Sequence, residues 1–480
     1  MASQDFAIVI LAAGKSTRFK SERSKLIHML AGRPLGDYVV SSALAAGPET
    51  VLMVVGHNAA SVRETLKRPG LQFVEQKQQR GTGHALIVAR SQLEQCKGDT
   101  VVVVVGDAPL LRTETLREFV EAHRKARAAA SVLTMCPDNP HGYGRIVRST
   151  GSRVRAIVEE KICTSAQRRI REVSSGILCF SRNDLLKHLD RLSDKNAQKE
   201  YLLTDLVKIF NQQRRKVVAF PVADAREVLG VNDRVDLARM ERILRLQKAE
   251  ALMREGVTIV DPQTTYIDTT VEVGSDTVIE PGVSLLGHTR IGRGCTIRVH
   301  STLTDSILGD RVLVRPNTVV TGCEIGSDVI LGPFAHLRDG AVVESEARIG
   351  NFVEVKKSRV GSGTKAWHLT YLGDARLGEQ VNVGAGTVTC NYDGEKKNPT
   401  TIEDGVFIGS GSMLVAPVKI GKGSYVAAGS AITEDVPAES LAVGRARQVN
   451  KEGWVREHKQ EKAGSKQGPT PPAKGEVQDR

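Results

Sequence analysis

The chain has 480 residues, too many for one ordinary hydrophobic core, so at least two domains are expected. Its 67 lysines and arginines against 55 acidic residues give a net charge of +12, which suits several polyanionic partners: nucleic acid, an anionic membrane, or nucleotides and sugar phosphates. Nucleic-acid binding is disfavoured because only 4 % of residues are aromatic and no basic run stands out. Seven irregularly spaced cysteines, with no signal peptide or membrane span, predict a cytoplasmic protein without a membrane partner.

The N-terminal part alternates between two kinds of segment. Apolar runs at 6–13, 51–55 and 101–105 are separated or followed by helix-like segments at 36–46, 59–67, 83–95 and 113–128. Continuous apolar strands that alternate with helices predict a parallel α/β sheet with both faces covered.

The first strand leads into a glycine loop with basic residues. The sequence LAAGKSTRF at 11–19 joins Gly14 to Arg18, and Lys25 follows. Ligands of open α/β sheets bind at the carboxyl ends of strands, where backbone N–H groups and cations can approach phosphates. The loop matches neither a dinucleotide fingerprint nor a P-loop, so a loop with basic surface residues is the alternative interpretation.

Two further polar elements support a nucleotide site. Asp107 follows the run VVVVVG, and a carboxylate at the exit of a buried strand commonly holds Mg²⁺ against a phosphate. Gln76 with Gly81 and Thr82 forms a polar loop whose donors and acceptors suit the edge of a base. The joint occurrence of the three elements, in this order, is more specific than any one of them.

One long helix is predicted over 234–255, where helix formers occur without glycine or proline. It begins after Asn232 and ends at Gly256, which is well placed for a C-cap. We expect this helix to connect the α/β domain to the C-terminal part. From 455 onward the composition turns to Lys, Gln, Gly and Pro, which predicts a disordered tail over 455–480.

An aliphatic residue recurs at every sixth position of the C-terminal part. The three runs are Val273, Ile279, Leu285, Ile291, Ile297, Leu303; Ile307, Leu313, Val319, Ile325, Leu331, Leu337, Val343, Ile349, Val355; and Ile402, Ile408, Leu414, Ile420, Val426, Ile432. Hexapeptide spacing predicts a parallel β-helix, since neither a helix nor an open sheet has this period. The phase slips between about 356 and 401, where Val360, Leu377 and Val383 keep only fragments of the pattern.

Stacked coils can expel an insertion as a loop, so function is expected to collect at this break. His368 is the only histidine of residues 337–454, and its alternative role is a packed or surface residue. Side chains that suit phosphate binding, hydrogen bonding or the lining of a cleft accompany it; they are Arg338, Lys356, Lys397, Tyr371, Asn382, Asn391 and Tyr392.

These motifs resemble those of the sugar-nucleotide pyrophosphorylases, which carry LxxGxGTR, a downstream lysine and a strand-terminal aspartate. The resemblance continues through GYGRI (142–146), IVEEK (157–161) and VLGVNDR (228–234) and, with the β-helix, covers almost the whole chain to Trp454. The chain is most similar to the bacterial bifunctional family that acetylates glucosamine 1-phosphate and then uridylylates the product. Such enzymes feed peptidoglycan and lipopolysaccharide precursors.

The resemblance implies a Rossmann-like nucleotidyltransferase domain (1–233), a linker helix (234–256) and a left-handed parallel β-helix acetyltransferase domain (257–454). In the first domain, Arg18 and Lys25 would face the triphosphate, and Asp107 and Asn232 would ligate Mg²⁺. The implied uridine and amino-sugar contacts are Leu11, Ala12, Gly14, Gln76, Gly81, Thr82, Gly144, Glu159 and Ser174. Two positions depart from the family pattern: Ser24 precedes Lys25 where proline is usual, and Ser174 replaces an asparagine.

In the β-helix the resemblance implies that His368 is the general base for acetyl transfer. Glucosamine 1-phosphate would be held by Arg338, Lys356, Tyr371, Asn382 and Lys397. Acetyl-CoA would contact Ala385, Asn391, Tyr392, Ser410, Ala428 and Arg445. The family also implies a homotrimer.

Two other functions are compatible with parts of this pattern. A nucleotidyltransferase with a regulatory β-helix, as in ADP-glucose and GDP-mannose pyrophosphorylases, has no need of the polar residues at 368–397. A non-enzymatic scaffold, like the nucleotidyltransferase-like translation-factor subunits, has no need of Arg18, Lys25, Asp107 and Asn232. The bifunctional enzyme is therefore favoured over both.

Overall fold

Parallel strands dominate the computed structural model, which describes residues 5–149, 151, 153–196 and 198–464. The chain divides into two compact units, which meet in the sequence between Glu346 and Ala347. The domain boundaries expected at 233 and 256 both lie inside the first unit, so they stay a prediction.

The described residues of the N-terminal region form eleven strands and eight α-helices, followed by one long helix. The strands are β1 (Phe6–Ala12), β2 (Met29–Leu30), β3 (Arg33–Pro34), β4 (Thr50–Val55), β5 (Leu71–Glu75), β6 (Thr100–Val105), β7 (Ala130–Met135), β8 (Arg145–Arg148), β9 (Val154–Val158), β10 (Val173–Ser181) and β11 (Val217–Pro221). The helices are α1 (Leu35–Ala45), α2 (Ala59–Leu66), α3 (Thr82–Val88), α4 (Arg90–Gln95), α5 (Thr113–Ala126), α6 (Ser165–Arg168), α7 (Arg182–His188), α8 (Asp205–Gln212) and the long α9 (Arg234–Arg254). Short 3₁₀ turns lie at Thr17–Phe19, Lys25–Ile27, Glu160–Ile162, Leu189–Arg191 and Ala225–Val228.

The main sheet has the strand order β11-β7-β10-β6-β1-β4-β5. β1 pairs in parallel with β4 and β6, as the three apolar runs predicted. β10, however, runs antiparallel between β6 and β7, so the sheet is mixed rather than wholly parallel. A parallel return needs a crossover of a dozen or more residues, usually a helix. Among the described residues between β7 and β10, the chain forms the antiparallel β8–β9 pair, a 3₁₀ turn and the four-residue α6 rather than one crossover helix.

Both faces of this sheet are covered, as predicted. Along β1, Ile8 and Ile10 belong to one buried cluster, and Ala7 and Val9 belong to a second cluster on the opposite face. The helix expected over 83–95 is present as two helices, because Ala89 has a ψ of 0° that departs from helical geometry.

The long helix α9 has strong end signals. The Asp233 side chain accepts hydrogen bonds from the N–H groups of Val235 and Asp236 at its start. At its end Gly256 has a φ of 93°, and the N–H of Val257 donates to the carbonyl of Leu252, 3.1 Å away. This is the glycine-terminated C-cap that the sequence predicted.

The first unit ends with stacked coils of short parallel strands. They are β12 (Thr258–Ile259), β13 (Tyr266–Ile267), β14 (Glu272–Val273), β15 (Val278–Ile279), β16 (Ser284–Leu286), β17 (Arg290–Ile291), β18 (Thr296–Ile297), β19 (Thr302–Thr304), β20 (Ile307–Leu308), β21 (Leu313–Val314), β22 (Val319–Thr321), β23 (Glu324–Ile325), β24 (Ile330–Leu331), β25 (His336–Arg338) and β26 (Val342–Val343). Each strand pairs with the third one along the chain, for example β13 with β16, which confirms a parallel β-helix.

The inward ladder differs from the predicted one over three positions. Ile307, Leu313 and Val319 are not buried; the core residues are their neighbours Leu308, Val314 and Val320. The register pairs Ile291 with Leu308 and Leu308 with Ile325, so these two coils have 17 residues instead of 18. In each of these coils one corner has one residue fewer. The predicted ladder is wrong at these three positions because each inward residue is preceded by another aliphatic residue.

The second unit continues with β27 (Arg348–Lys356), β28 (Arg359–Val360), β29 (Lys365–Gly373), β30 (Ala375–Leu377), β31 (Asn382–Val383), β32 (Val388–Cys390), β33 (Thr400–Ile402), β34 (Phe407–Ile408), β35 (Met413–Val415), β36 (Val418–Ile420), β37 (Tyr425–Val426), β38 (Ala431–Ile432), β39 (Leu441–Ala442) and α10 (Trp454–Gly464). The helix α10 lies in the segment predicted to be disordered, so that prediction is wrong for 455–464. Residues 465–480 lie outside the described residues.

The predicted break at 356–401 is much shorter in the structure. Val360, Ala366, Leu372, Leu377 and Val383 are all buried, so the core ladder continues through most of it. Leu377 then pairs with Ile402, 25 positions later, so this coil has seven or eight residues more than a coil of 18 or 17. They are expelled as the loop 391–399, and this loop is the true insertion.

No helix among the residues that the structure describes is long and apolar enough to cross a lipid bilayer.

The 17-residue coils can be tested with two adjacent residues. Leu308→Ala should lower the free energy of unfolding by about 2–4 kcal/mol, because it removes a buried side chain from the ladder. Ile307→Ala should change it by less than about 0.5 kcal/mol, because that side chain is 48 % exposed. Urea unfolding followed by circular dichroism measures both variants. Equal losses, or a larger loss for Ile307→Ala, would contradict the observed register.

Candidate functional site

The N-terminal region has a cavity of about 540 Å³ at the carboxyl ends of β1 and β6. Ten of the residues that the sequence analysis selected line it; they are Leu11, Ala12, Gly14, Arg18, Lys25, Gln76, Gly81, Thr82, Asp107 and Asn232. Glu200, which the sequence analysis did not select, is also part of the wall. The structure therefore brings together segments that are up to about 220 residues apart in the chain.

The glycine loop after β1 leaves its backbone open to the cavity. Gly14 is exposed, and a Cβ built on it would meet nothing within 4 Å. The loop then turns through Ser16, with a φ of 53°, into the 3₁₀ turn that carries the exposed Arg18. Backbone N–H groups and a guanidinium at the end of a strand are suited to bind phosphate oxygens.

Two basic residues contact the two proposed metal ligands. The Nζ of Lys25 contacts Oδ2 of Asp107 and donates to the Val231 carbonyl, 2.9 Å away. The guanidinium of Arg18 donates to Oδ1 of Asn232 at 2.8 Å. The Val231 N–H in turn donates to the backbone carbonyl of Asp107 at 2.9 Å. These bonds place Asp107 and Asn232 on adjacent segments of one small polar cluster.

The polar loop after β5 is held rigidly. Gln76 is 2 % exposed, and its Nε2 donates to the Gly81 carbonyl at 3.1 Å and lies 2.9 Å from Nδ1 of His84. Gly81 has a φ of 103°, and a Cβ there would lie 2.6 Å from the Tyr201 carbonyl, so only glycine fits. The hydroxyl of Thr82 accepts a hydrogen bond from the N–H of Leu203 at 3.0 Å.

The three amino-sugar candidates also lie together. The Ser174 N–H donates to the Gly144 carbonyl at 2.8 Å, and a Cβ on Gly144 would lie 3.7 Å from Oε1 of Glu159. Burial raises the pKa of Glu159, the nearby Asp205 raises it further, and a hydrogen bond from Thr204 opposes the shift. The Ser174 hydroxyl accepts a hydrogen bond from the Gly176 N–H at 3.2 Å, so it is already engaged with its own loop.

In the second unit, His368 lies in the middle of β29 beside Asn351 of β27. Its Nδ1 is 2.7 Å from Oδ1 of Asn351. An amide oxygen is an acceptor only, so Nδ1 carries the ring proton and Nε2 keeps its lone pair. The ring is exposed, which leaves Nε2 accessible to a proton donor.

Two lysines of this region lie close together. The Lys356 ammonium lies within hydrogen-bonding range of Lys397 and lowers its pKa, because one positive charge disfavours a second beside it. Tyr371 and Asp374 oppose this shift, and Nδ2 of Asn391 bridges them, at 3.4 Å from the Tyr371 hydroxyl and 2.7 Å from Asp374. Two adjacent cations with hydrogen-bonding neighbours are suited to bind a phosphate dianion.

The remaining acceptor-site candidates are more dispersed. Asn382 lies in β31, where it pairs with Lys365 at the opposite end of β29 from Tyr371. Arg338 belongs to the first unit, where its guanidinium forms an ion pair with Asp339 at 2.7 Å.

Most acetyl-CoA candidates form one column along a corner of the coils. The N–H of Gly411 donates to the Ala385 carbonyl at 2.7 Å, and the N–H of Gly429 donates to the Ser410 carbonyl at 2.8 Å. A Cβ on Gly409 would lie 2.5 Å from the N–H nitrogen of Ala428, and one on Gly429 would lie 3.9 Å from Cδ of Arg445. Small residues on successive coils therefore leave this corner of the β-helix without bulky side chains as far as the guanidinium of Arg445.

The insertion loop 391–399 is organised by one carboxylate. Asp393 accepts hydrogen bonds from the N–H groups of Glu395 and Lys396, at 2.9 and 2.8 Å, and from the Asn398 amide at 2.8 Å. These three bonds lower the pKa of Asp393 to about 2. The loop that carries Asn391, Tyr392 and Lys397 thus has a defined conformation.

Three residues outside the predicted site hold its members in place: His84 contacts Gln76, Asn351 contacts His368, and Asp374 contacts Asn391. The contacting residues lie between eight and seventeen positions apart, and no motif marks them. Asn351 and Asp374 could have been found from the coil register, since residues one coil apart are neighbours.

The fold and the two polar regions define a nucleotidyltransferase joined to a hexapeptide-repeat transferase. Residues 8–215 match the MobA-like NTP transferase domain, and residues 322–357 and 399–434 match the bacterial transferase hexapeptide family. Accordingly, the coils form a left-handed β-helix.

The whole chain is similar to proteins named bifunctional protein GlmU. The protein of Koribacter versatilis is 50 % identical over 94 % of this chain and 97 % of its own length. Those of Geotalea daltonii and Anaeromyxobacter dehalogenans are 48 % and 50 % identical over 94 % and 98 % of this chain, and over 99 % and 97 % of their own lengths. The chain belongs to this bifunctional family and has its uridylyltransferase and acetyltransferase activities in the synthesis of UDP-N-acetylglucosamine.

The role of the insertion loop gives a direct prediction. Asp393→Ala should lower acetyl transfer about tenfold, because the loop loses three hydrogen bonds and no longer holds Lys397 in place. Release of free thiol from acetyl-CoA measures this activity. Glu395→Ala is the matched control, since it removes the same charge from the same loop while its backbone bond to Asp393 remains. Equal acetyl-transfer activity of the two variants would show that the loop conformation does not affect this reaction.

Proposed function

We propose that each activity has its own site, with uridylyl transfer in the N-terminal cavity and acetyl transfer on the coils of the second unit. The observation that carries this proposal is the presence of two separate cationic clusters, Arg18 with Lys25 and Lys356 with Lys397. Each cluster suits a phosphorylated substrate, and the exposed imidazole of His368 lies in the second unit, on β29, the strand that pairs with the strand of Lys356.

In the first site, Gln76, Gly81 and Thr82 bind the uracil edge, and Leu11, Ala12 and Gly14 contact the nucleoside. Arg18 and Lys25 neutralise the triphosphate. Gly144, Glu159 and Ser174 bind the amino sugar, and their mutual contacts support a common pocket. Because the Ser174 hydroxyl is engaged with Gly176, we expect its contact with the sugar to be weak or water-mediated.

Asp107 and Asn232 fit a magnesium ion. Both offer side-chain oxygens, the ligands that Mg²⁺ prefers, and hydrogen bonds through Val231 hold their segments together. Among the described residues there is no group of three or more metal-ligating side chains, which is compatible with an ion that takes its other ligands from phosphate and water. When bound, Mg²⁺ neutralises charge on the phosphates.

The transfer itself needs no covalent intermediate. A phosphate oxygen of N-acetylglucosamine 1-phosphate attacks the α-phosphorus of UTP, and the bond to pyrophosphate breaks. The chain's own residues align the two substrates in line and stabilise the charge with Arg18 and Lys25.

In the second site, Lys356 and Lys397 bind the phosphate of glucosamine 1-phosphate, with Tyr371 and Asn382 as further contacts. His368 accepts a proton from the amino group at Nε2, because its Nδ1–H is held by Asn351. The amine then attacks the thioester carbonyl carbon, and the carbon–sulfur bond breaks to release CoA. Asn391 and Tyr392 line the cleft near the thioester, and the column Ala385, Ser410, Ala428 and Arg445 contacts the CoA moiety.

We also propose a homotrimer in the cytoplasm. Phe407, Tyr425 and Leu441 form an exposed apolar row on successive coils, which suits burial against another subunit. The seven cysteines are free thiols, as a reducing compartment favours.

One assay tests the whole proposal. The chain is incubated with glucosamine 1-phosphate, acetyl-CoA, UTP and Mg²⁺, and free thiol and pyrophosphate are followed separately. Both should appear, and pyrophosphate should depend on prior acetylation. Release of pyrophosphate without thiol would favour a nucleotidyltransferase with a regulatory β-helix.

Asp107→Ala should abolish pyrophosphate release from UTP and N-acetylglucosamine 1-phosphate, because it removes a proposed metal ligand. Thiol release from acetyl-CoA should be unchanged, and this second activity also shows that the variant is folded. Equal loss of both activities in a folded variant would argue against separate sites.

His368→Ala should lower acetyl transfer by about 10²–10⁴-fold, the usual contribution of a general base. Pyrophosphate release from UTP and N-acetylglucosamine 1-phosphate should stay at the level of the unmodified chain. Near-normal release of CoA thiol by this variant would mean that another group or solvent takes the proton.

A further inference from the structure

The amide of Gln76 can have only one orientation in the cavity wall. Its Nε2 lies 3.1 Å from the carbonyl oxygen of Gly81, which is an acceptor only. If the amide were turned over, its own oxygen would face that carbonyl oxygen at the same short distance. The nitrogen of Gln76 must therefore point toward Gly81.

The ring of His84 uses the second hydrogen of this amide. Its Nδ1 lies 2.9 Å from the same Nε2, so Nδ1 acts as an acceptor and the neutral ring carries its proton on the other nitrogen. Burial lowers the pKa of His84, and the charge of Arg80 lowers it further, against a smaller opposing effect of the Gln78 backbone. The two larger effects, burial and the charge of Arg80, both lower the pKa and therefore favour the neutral ring.

The remaining polar atom of the side chain is then an acceptor. Gln76 is almost fully buried and lines the cavity, with both amide hydrogens directed at Gly81 and His84. No residue that the structure describes donates a hydrogen bond to its Oε1. Ligand groups that approach this side chain therefore meet a carbonyl oxygen rather than an amide N–H.

We propose that His84 is a positioning residue that makes the nucleotide site select uracil over cytosine. This inference rests on the proposed role of Gln76 in binding the base. The proposal places Oε1 of Gln76 against N3 of the base, where uracil carries a hydrogen and matches an acceptor, whereas cytosine carries a lone pair and opposes one. His84 acts through Gln76, because it prevents the amide from presenting an N–H to the base.

Removal of His84 leaves Gly81 as the only group that orients the amide. One amide hydrogen then loses its partner in a buried position, and the side chain gains freedom to turn toward a ligand acceptor. The selection for uracil should be weakened but not lost. A purely structural role of His84 would lower the use of both nucleotides together, so the ratio between them is the informative quantity.

The test compares kcat/KM for UTP and CTP with N-acetylglucosamine 1-phosphate and Mg²⁺, by pyrophosphate release from the full chain. In His84→Ala the UTP-to-CTP ratio should fall about tenfold. His84→Asn should largely restore the ratio, because its Oδ1 can accept near the position of Nδ1. His84→Leu fills the space without an acceptor and should behave like His84→Ala, which keeps the test usable if the alanine variant does not fold.

His188→Ala is the matched control. His188 is another histidine of the N-terminal region, and it is buried, but its Nδ1 bonds to the Asp184 backbone and its ring contacts Phe210. It should lower stability without a change in the UTP-to-CTP ratio. An unchanged ratio in folded His84→Ala or His84→Leu, or a reduced ratio in His84→Asn equal to theirs, would overturn the proposal. If the unmodified chain released no pyrophosphate from UTP, the proposed function itself would fail, whatever the role of His84.

Discussion

Parallel pairing of strands is the constraint on which both functional regions depend. In the N-terminal sheet it brings the carboxyl ends of β1, β5 and β6 to one edge, where Gly14, Gln76 and Asp107 follow in the sequence. In the coils it stacks residues that are 17, 18 or, across the insertion, 25 positions apart. In both regions polar groups collect where the regular pairing ends, because the backbone there is free to contact a ligand.

The two regions differ in how their charges are balanced. Lys25 is paired with Asp107, and Arg18 with Asn232, so the cations of the nucleotide cavity already have partners within the chain. Lys356 and Lys397 instead lie beside each other, and the charge of Lys356 lowers the pKa of Lys397. The cations of the second cluster are therefore not fully balanced by each other, in contrast to the ion pair of Lys25 with Asp107.

An imidazole and an amide hold each other in both regions, with opposite roles. In the coils, the Asn351 amide fixes the ring proton of His368 on Nδ1 and leaves Nε2 with a free lone pair. In the cavity, the ring of His84 helps to fix the amide of Gln76 and leaves its oxygen for the ligand. In each pair one partner fixes the tautomer or the orientation of the other. A group that could either donate or accept a hydrogen bond therefore presents only one of these functions.

The sequence by itself determined the α/β region, the connecting helix, the β-helix and most of the nucleotide cavity, because these depend on local patterns of apolar, glycine and polar residues. It could not determine the coil length, since Ile307 and Leu308 are both aliphatic and only stacking decides which one points inward. Nor could it show that β10 runs antiparallel, or that His84 holds the amide of Gln76. Those features arise from contacts between segments that no local pattern encodes, so only the tertiary structure decided them.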